Sequence, residues 1–371
     1  MLNFKLLIYT IVIYTFILNN SFSESKKCNN VKKICDVLNQ VVGIKTPMMI
    51  ASGTIINDNL IVTNRHVVED HKQFIIKFNN GKIKKAFPLP HNFPADLALL
   101  TFNKELDIPV DFFKSKSIKG LIRVVGYDQG RNSNRIYNKG KIISFPDILK
   151  NPQGRIHTTA KSLPGNSGAA VVDEEGNIVG ILASGDGNIN EVIPISFVNN
   201  VLKNSNLKHK EHFLKIGKYI RLCADNLDVS FNTNKNLDVN IANNIDNYCW
   251  KSRNKQLIDQ AGQTFGRLGD LSRSSKFLIK SVELDPMSPN SLLSLAITYH
   301  IDRKLDKEKP LIQRLLKLTP ENPQVLRLGI QVAGILKDKE MSNNVLSLMG
   351  KYNRKALPLA RKFIDNAFSS N

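Results

Sequence analysis

From about residue 41 to 201 the apolar positions fall in runs of four to seven, punctuated by Gly, Asn, Asp and Pro. Leu60-Ile-Val-Thr63, Phe74-Ile-Ile-Lys-Phe78, Leu97-Ala-Leu-Leu100, Leu121-Ile-Arg-Val-Val125 and Ala169-Ala-Val-Val172 are examples. Runs that short, rich in β-branched residues and closed by turn formers, predict strands, and their regular recurrence predicts a barrel or a sandwich. After Trp250 the period lengthens to about 3.6 residues. Helices are expected near 254–268, 271–284, 289–302, 306–318, 323–337 and 341–368. The fold class is therefore a multidomain β plus α protein, as a chain of 371 residues allows.

Between these halves, from about 206 to 249, the periodicity weakens and Asn accumulates, as in Asn226-Leu-Asp-Val229 and Asn236-Leu-Asp-Val239. A helix near 213–222 and then an irregular connector are expected. Within the helical half, Leu284-Asp-Pro286 and Leu318-Thr-Pro320 lie 34 residues apart, as do Pro289 and Pro323. Thirty-four is the period of tetratricopeptide helix pairs. Large and small residues fall in the corresponding places, including Ala261, Gly262, Phe265 and Ser274 in one unit and Leu292, Ala296 and Tyr299 in the next. Glu308 stands where a small residue is expected, and a third unit from Pro323 reads as degraded. The competing reading is an unrelated helical bundle.

The N-terminus carries Lys5, an apolar run from Leu6 to Leu18, and the small residues Ser21 and Ser23 at the two positions that govern cleavage. These are the parts of a secretory signal peptide cleaved after Ser23, and the run is too short to cross a bilayer. The expected domains are a signal peptide over 1–23, a β domain over 24–205, a connector over 206–249 and a helical domain over 250–371. Export suits the cysteines. Of the three pairings possible, Cys28 with Cys35 and Cys223 with Cys249 close the shortest loops and are favoured. No cysteine pair has zinc-ligand spacing, and His209 and His212 sit among Lys208, Lys210 and Glu211 as on a solvated helix face, so no metal site is expected.

The net charge of +20 admits a weak electrostatic association with anionic envelope surfaces. Lys is spread along the whole chain, with no basic tract and no interleaved aromatic platform, which argues against nucleic acid as a partner.

The candidate chemistry lies in the β half. Thr63-Asn-Arg-His-Val-Val68 places His66 just past a strand, Asp96 opens the strand Asp96-Leu-Ala-Leu-Leu100, and Leu163-Pro-Gly-Asn-Ser-Gly168 presents Ser167 on a turn. A serine hydroxyl is a poor nucleophile at neutral pH. It needs an imidazole to take its proton and a carboxylate to orient that imidazole. His66, Asp96 and Ser167 supply the three groups. Glycine at 165 and 168 permits a tight turn in which the amides of Gly165 and Ser167 form an oxyanion hole, each donor contributing roughly 3 kcal/mol.

With these pieces in place, residues 41 to 201 resemble the protease domain of the HtrA/Deg group within the trypsin-like superfamily. The resemblance rests on Ser52-Gly-Thr-Ile-Ile56, Val62-Thr-Asn-Arg-His-Val-Val68, Ala95-Asp-Leu-Ala-Leu99, Val124-Val-Gly-Tyr127, Gly165-Asn-Ser-Gly168 and Gly176-Asn-Ile-Val-Gly-Ile181, in that order. It implies a double six-stranded antiparallel barrel with the site between the barrels. It also implies that Gly180 to Gly185 pairs with an extended peptide, Ile193-Pro-Ile195 returns beside it, and Ile189 to Glu191 forms the loop between. The chain departs from the family in having Ala169 after Gly168, and in carrying helical repeats where the family carries a PDZ domain. The family's trimers and C-terminal peptide sensing are not carried over.

For specificity, Lys161 stands six residues before the serine, at a position that often floors the P1 pocket in this superfamily, and a lysine there favours an acidic P1 side chain. If the loops turn Lys161 to solvent, Ser162, Ala183, Ser184 and Gly185 leave room for modest apolar groups. The function expected is a secreted or periplasmic serine endopeptidase acting without cofactor on extended or unfolded protein segments. The alternative is a binding or chaperone-like protein in which the repeats recognise a protein partner and the protease fold is a platform.

Overall fold

The computed structural model describes residues 28–47, 49–102, 120–231 and 237–369. The expected leader and its cleavage point after Ser23 lie outside the described residues.

The short apolar runs form two closed β structures. The first contains β1 (Val41–Lys45), β2 (Ile50–Asn57), β3 (Leu60–Thr63), β4 (Phe74–Phe78), β5 (Ile83–Leu89) and β6 (Ala98–Phe102), in the order β1-β2-β3-β6-β5-β4 with β4 returning to β1. Val42, Ile44, Ile61, Phe74, Ile76 and Leu100 fill it. The second contains β7 (Leu121–Asp128), β8 (Ser133–Ile136), β9 (Gly140–Ser144), β10 (Ile156–Thr158), β11 (Ala170–Val172), β12 (Ile178–Gly185) and β13 (Asn190–Pro194). Its ring runs β11-β12-β13-β10-β9-β7 and closes where β7 pairs with β11, with β8 added at the edge of β7. A shared core joins the barrels: Val62, Leu97 and Leu99 from the first meet Val125, Ala170 and Ile193 from the second. Helix α1 (Lys32–Gln40) adds Ile34 and Val37 to it; beyond the one-turn α2 (Arg65–Val68), α3 (Ser196–Lys203) adds Phe197 and Val201.

One local expectation is corrected. Asn190 and Glu191, placed in a loop above, belong to β13 and pair with Gly185 and Ser184 of β12. Their polar side chains look like loop residues, but both are buried and bonded inside the protein.

The second half consists of α4 (Lys210–Phe231), α5 (Val239–Ser252), α6 (Lys255–Arg267), α7 (Leu271–Leu284), α8 (Pro289–Ile301), α9 (Leu305–Leu318), α10 (Pro323–Ile335), α11 (Lys339–Tyr352) and α12 (Leu357–Ser369). The helix expected near 213–222 lies within α4, which runs on to Phe231, and α5 stands where the rest of the region was expected to be irregular. Asn240, Asn243 and Asn247 are exposed on α5, while Ala242, Ile245 and Cys249 face inward, so a polar surface masked an ordinary amphipathic stripe. The expected last helix over 341–368 is two, broken at Asn353. The 34-residue spacing persists at the helix starts. Asn254, Ser288 and Asn322 cap α6, α8 and α10, and Pro289 and Pro323 occupy the first turn that suits proline. Asp270, Lys304 and Asp338 precede α7, α9 and α11 at the same spacing, so the third unit keeps the period that its blurred apolar pattern hid. Glu308 is buried and accepts from His300 Nδ1 at 2.9 Å, which accounts for a carboxylate where a small residue was expected.

Cys28 is bonded to Cys35 and Cys223 to Cys249. The second bridge ties α4 to α5 beside Ile220, Ile245 and Phe265. Such bonds belong to oxidising compartments. Among the described residues, no helix is long and apolar enough to cross a membrane. Closing a loop of 26 residues removes unfolded-state entropy equivalent to about 3.5 kcal/mol. Replacing Cys223 and Cys249 together by Ala is therefore expected to lower the unfolding free energy by roughly that amount in denaturant titrations, with the β half unchanged in its near-ultraviolet spectrum.

Candidate active site

β3 ends at Thr63, and the chain turns at once into α2, which carries His66. Asp96 lies just before β6, which pairs with β3, so the sheet brings the two side by side. His66 Nδ1 lies 2.8 Å from Asp96 Oδ2, and the His66 backbone N–H donates to Asp96 Oδ1 at 3.0 Å. Two more donors complete the carboxylate. Arg155 Nη2 reaches Oδ2 at 3.4 Å, and Asn254 Nδ2, from the cap of α6, reaches Oδ1 at 2.7 Å. Burial works against the charge of Asp96, yet His66 and Arg155 outweigh it and hold the carboxyl below the usual carboxylate range.

Ser167 sits on the turn before β11. Gly165 and Gly168 adopt φ of +92° and +89°, in the left-handed region that glycine enters freely. A Cβ at 168 would lie 2.0 Å from the Ser52 carbonyl oxygen, so no other residue fits there. The turn is clamped to the first barrel: Ser52 N–H donates to the Ser167 carbonyl at 2.8 Å, and Ser52 Oγ to the Gly165 carbonyl at 3.0 Å. Within the turn, Asn166 Oδ1 accepts from Leu163 N–H, and its Nδ2 donates to the Tyr127 carbonyl. The amides of Gly165 and Ser167 have no acceptor among the described residues. The Ser167 hydroxyl donates to the Ala183 carbonyl at 3.0 Å.

Beside Ser167 lies a cavity of about 520 Å³ lined by Ser162, Gly165, Asn190 and the β12 residues Ala183 to Gly185. Gln256 and Gln260 of α6 form its far wall, so the helical half shapes the cleft. Ser162 Oγ donates to Asn190 Oδ1 at 2.9 Å, and Asn190 Nδ2 donates to the Ala160 carbonyl, giving a polar floor, while Asp186 adds a carboxylate to the lining. Lys161 is exposed outside this cavity, its ammonium donating to the Gly187 carbonyl at 3.3 Å. His209 lies on a short 3₁₀ turn and His212 on α4, where it lines a small cavity with Arg65, His91 and Asp96; among the described residues no group of three or more His, Cys, Asp or Glu is placed to hold a metal ion.

Sequence reasoning missed the buried charges behind the site. Glu191 accepts from Arg155 and from Lys255 at 2.6 Å each, Lys255 Nζ lies 4.0 Å from Asp285, and Asp285 accepts from His157 Nε2 at 2.9 Å. Acid and base thus alternate across the junction of the second barrel with α6 and α7. Burial opposes the charge of Glu191, but Lys255 and Arg155 keep its carboxyl well below the usual range. A second anchor lies behind His66. Arg65 donates to the Glu69 and Phe213 carbonyls and stacks 3.7 Å over the Phe213 ring, whose other neighbour is His91. Gly217 lets α4 sit against the same turn, since a Cβ there would come within 2.0 Å of the Glu69 carbonyl oxygen.

A double barrel that carries an Asp-oriented histidine on one barrel and a glycine-flanked serine on a turn of the other is the arrangement of a trypsin-like peptidase domain, and residues 51–181 match that domain family. Among curated proteins, the chain is similar to the serine endoprotease DegS of Salmonella typhimurium (strain 14028s / SGSC 2262), 30% identical over 139 residues, covering 36% of this chain and 38% of that one. DegS of Escherichia coli K12 is equally similar, with coverage of 36% and 39%. The chain thus spans about two fifths of the length of these relatives. Among solved structures, the Rv3671c protease of M. tuberculosis H37Rv in its inactive form superposes with a TM-score of 0.40 at 21% identity, covering 47% of this chain and 92% of that one.

Breaking a buried charge pair strands its partner, at a cost of about 3 to 5 kcal/mol. Lys255→Met is expected to destabilise by that order in urea titrations, while Lys139→Ala, which removes the exposed partner of Glu174, leaves the midpoint unchanged.

Burial first, then the facing Arg65 cation, lowers the pKa of His91 from 6.5 to about 4. The unfolded chain therefore binds this proton first as pH falls, and stability present above pH 6.5 is lost between 6.5 and 4, on the order of 3 kcal/mol in all. Glu69 slopes the other way. Burial and the carboxylates of Asp225 and Asp70 raise its pKa to about 7, so its share of stability falls as pH rises from 4.5 to 7. Comparing wild type with His91→Gln isolates the histidine: the gap between their unfolding free energies should narrow by that amount from pH 7 to pH 4.

Proposed function

We propose that the chain is a secreted or periplasmic serine endopeptidase that cuts extended or unfolded protein segments through His66, Asp96 and Ser167. The observation that carries this reading is the pair of bonds from His66 to Asp96, backbone N–H and ring Nδ1 to the two carboxylate oxygens, which fix the imidazole with Nε2 outward. In the proposed cycle Ser167 attacks the peptide carbonyl while His66 takes its proton. The tetrahedral oxyanion rests on the amides of Gly165 and Ser167, and His66 then protonates the leaving amine. Water hydrolyses the acyl-enzyme by the same route in reverse. The substrate strand runs along β12 at Ala183 to Gly185, and the P1 side chain enters the polar pocket over Ser162 and Asn190, which Asp186 also lines. Lys161, being solvated and outside the cavity, exerts little charge selection there.

The helical units are proposed to be tetratricopeptide-like, on the 34-residue spacing of their caps, and to offer a groove to a protein partner. The net charge of +20 supports a weak association with anionic envelope surfaces that salt screens. A second reading, a binding protein with a latent site, is favoured by the Ser167 hydroxyl being bonded to the Ala183 carbonyl.

Labelling with a fluorophosphonate probe at neutral pH separates the two. Stoichiometric labelling that vanishes in Ser167→Ala, together with a fall of roughly a million-fold in peptide hydrolysis, is expected of the peptidase. Labelling that is absent or independent of Ser167 would sink the enzyme reading in favour of the latent one.

A further inference from the structure

We infer that Asn254 of the helical half is a positioning residue for the catalytic aspartate, so that the proposed peptidase site is completed by a side chain 158 residues away from Asp96 in sequence. The inference rests on the reading of His66, Asp96 and Ser167 as the catalytic groups.

Asn254 is the N-cap of α6. Its Oδ1 accepts from the backbone N–H of Gln256 at 3.0 Å and of Leu257 at 3.2 Å, so its amide can point only one way. That leaves Nδ2 facing Asp96 Oδ1 at 2.7 Å, shorter than the 3.4 Å contact Arg155 makes with the other oxygen. Both residues are 4% exposed, so little water competes for the carboxylate. The bond also determines which lone pairs remain for His66. With Nδ2 and the His66 N–H on Oδ1, the carboxylate plane is set and Oδ2 is turned to the ring.

Asn254 is itself held rigidly. Lys255, the next residue, pairs with Glu191 in the second barrel and sends its backbone N–H to Gln153 Oε1 at 3.1 Å. One period further on, the cap residue Ser288 also reaches the barrel, with its Oγ 3.3 Å from Lys255 Nζ and 3.4 Å from Glu191 Oε1. Two successive cap positions therefore meet the two buried acids that Arg155 joins. A shift of α6 by about one ångström would remove the short bond to Asp96, so the state of the helical units is felt at the imidazole.

Without the donor, Asp96 becomes a stronger base and tightens its hold on the His66 proton. The test uses the full chain with Asn254→Ser and Asn254→Asp, both of which keep a capping oxygen for α6. Serine replaces the amide by a hydroxyl on a shorter side chain, which sits farther from Asp96 while it caps α6, and aspartate sets a carboxylate against Asp96. Peptide hydrolysis is measured across pH, and the His66 titration is followed by NMR in a Ser167→Ala background, where no turnover is needed. The expected results are a fall in kcat of roughly tenfold to a hundredfold for Asn254→Ser with KM within about twofold, a larger fall for Asn254→Asp, and a His66 pKa raised in both, most in Asn254→Asp. A merely structural cap would change the melting temperature and leave the His66 titration where it was. Folded variants with wild-type kcat and an unchanged His66 titration would overturn the inference. If the wild type neither turns over nor labels at Ser167 while the variants still move the His66 titration, the peptidase reading falls and the positioning contact stands.

Discussion

Keeping a carboxylate charged in a dry interior is the constraint on which the rest of this structure depends. Asp96 is useful to His66 only as an anion, and its burial opposes that. The protein answers with four donors: the His66 amide and ring, Arg155 and Asn254. Arg155 is itself fully buried, so it needs a second anion, which Glu191 provides, and Glu191 in turn needs Lys255. Each charge taken from water requires another of opposite sign close by, and the chain of requirements runs out of the barrels and into the helices.

This explains why the two halves meet where they do. A hydrophobic seam would tolerate sliding, because apolar contacts are non-directional. A line of buried hydrogen-bonded ions does not, since a small displacement leaves a charge without a partner. The junction is double: the acid and base line fixes α6 and α7 against β10 and β13, and the stack of Arg65, Phe213 and His91 fixes α4 against the turn that carries His66. The histidine and the aspartate are thus both backed by helical residues. The serine turn is clamped by Ser52 of the first barrel.

What could be read from the sequence follows from how local each signal is. His66, Asp96 and Ser167 each sit in a short motif whose residues are neighbours in the chain, so their types and order were legible, and so were the strands and most helices from their periods. Arg155, Glu191 and Asn254 carry no such motif. Their partners lie 36 to 158 residues away, and a charged residue in a strand-rich segment reads as solvent-facing unless the fold is known. The connector misled for a related reason: exposed asparagines on α5 suggest a loop, and only the inward row of Ala242, Ile245 and Cys249 reveals the helix. Lys161 left two placements open, a pocket floor or solvent, because its position in the chain does not say which way the loops turn it, and the backbone turns it outward.

The spacing of the helical units adds a last step. Although Lys304 stands before α9 without a side-chain cap, helix caps favour Asn, Asp, Ser or Thr for local reasons, to satisfy the first free amides. Such a residue has one group to spare. Asn322 uses its oxygen on Gln324 and Val325 far from the barrels, as any cap would. Asn254 does the same with its oxygen and has a second hydrogen-bonding group left, the amide nitrogen, which lands on Asp96 because the first unit abuts the active site. A cap alternation of Asn, Ser and Asn at 254, 288 and 322 is interchangeable for helix stability and not for Asp96: only an amide both caps the helix through oxygen and donates through nitrogen. At the caps that meet the barrels the residue is thus matched to the acid it faces, an amide nitrogen for Asp96 at 254 and a hydroxyl for Glu191 at 288.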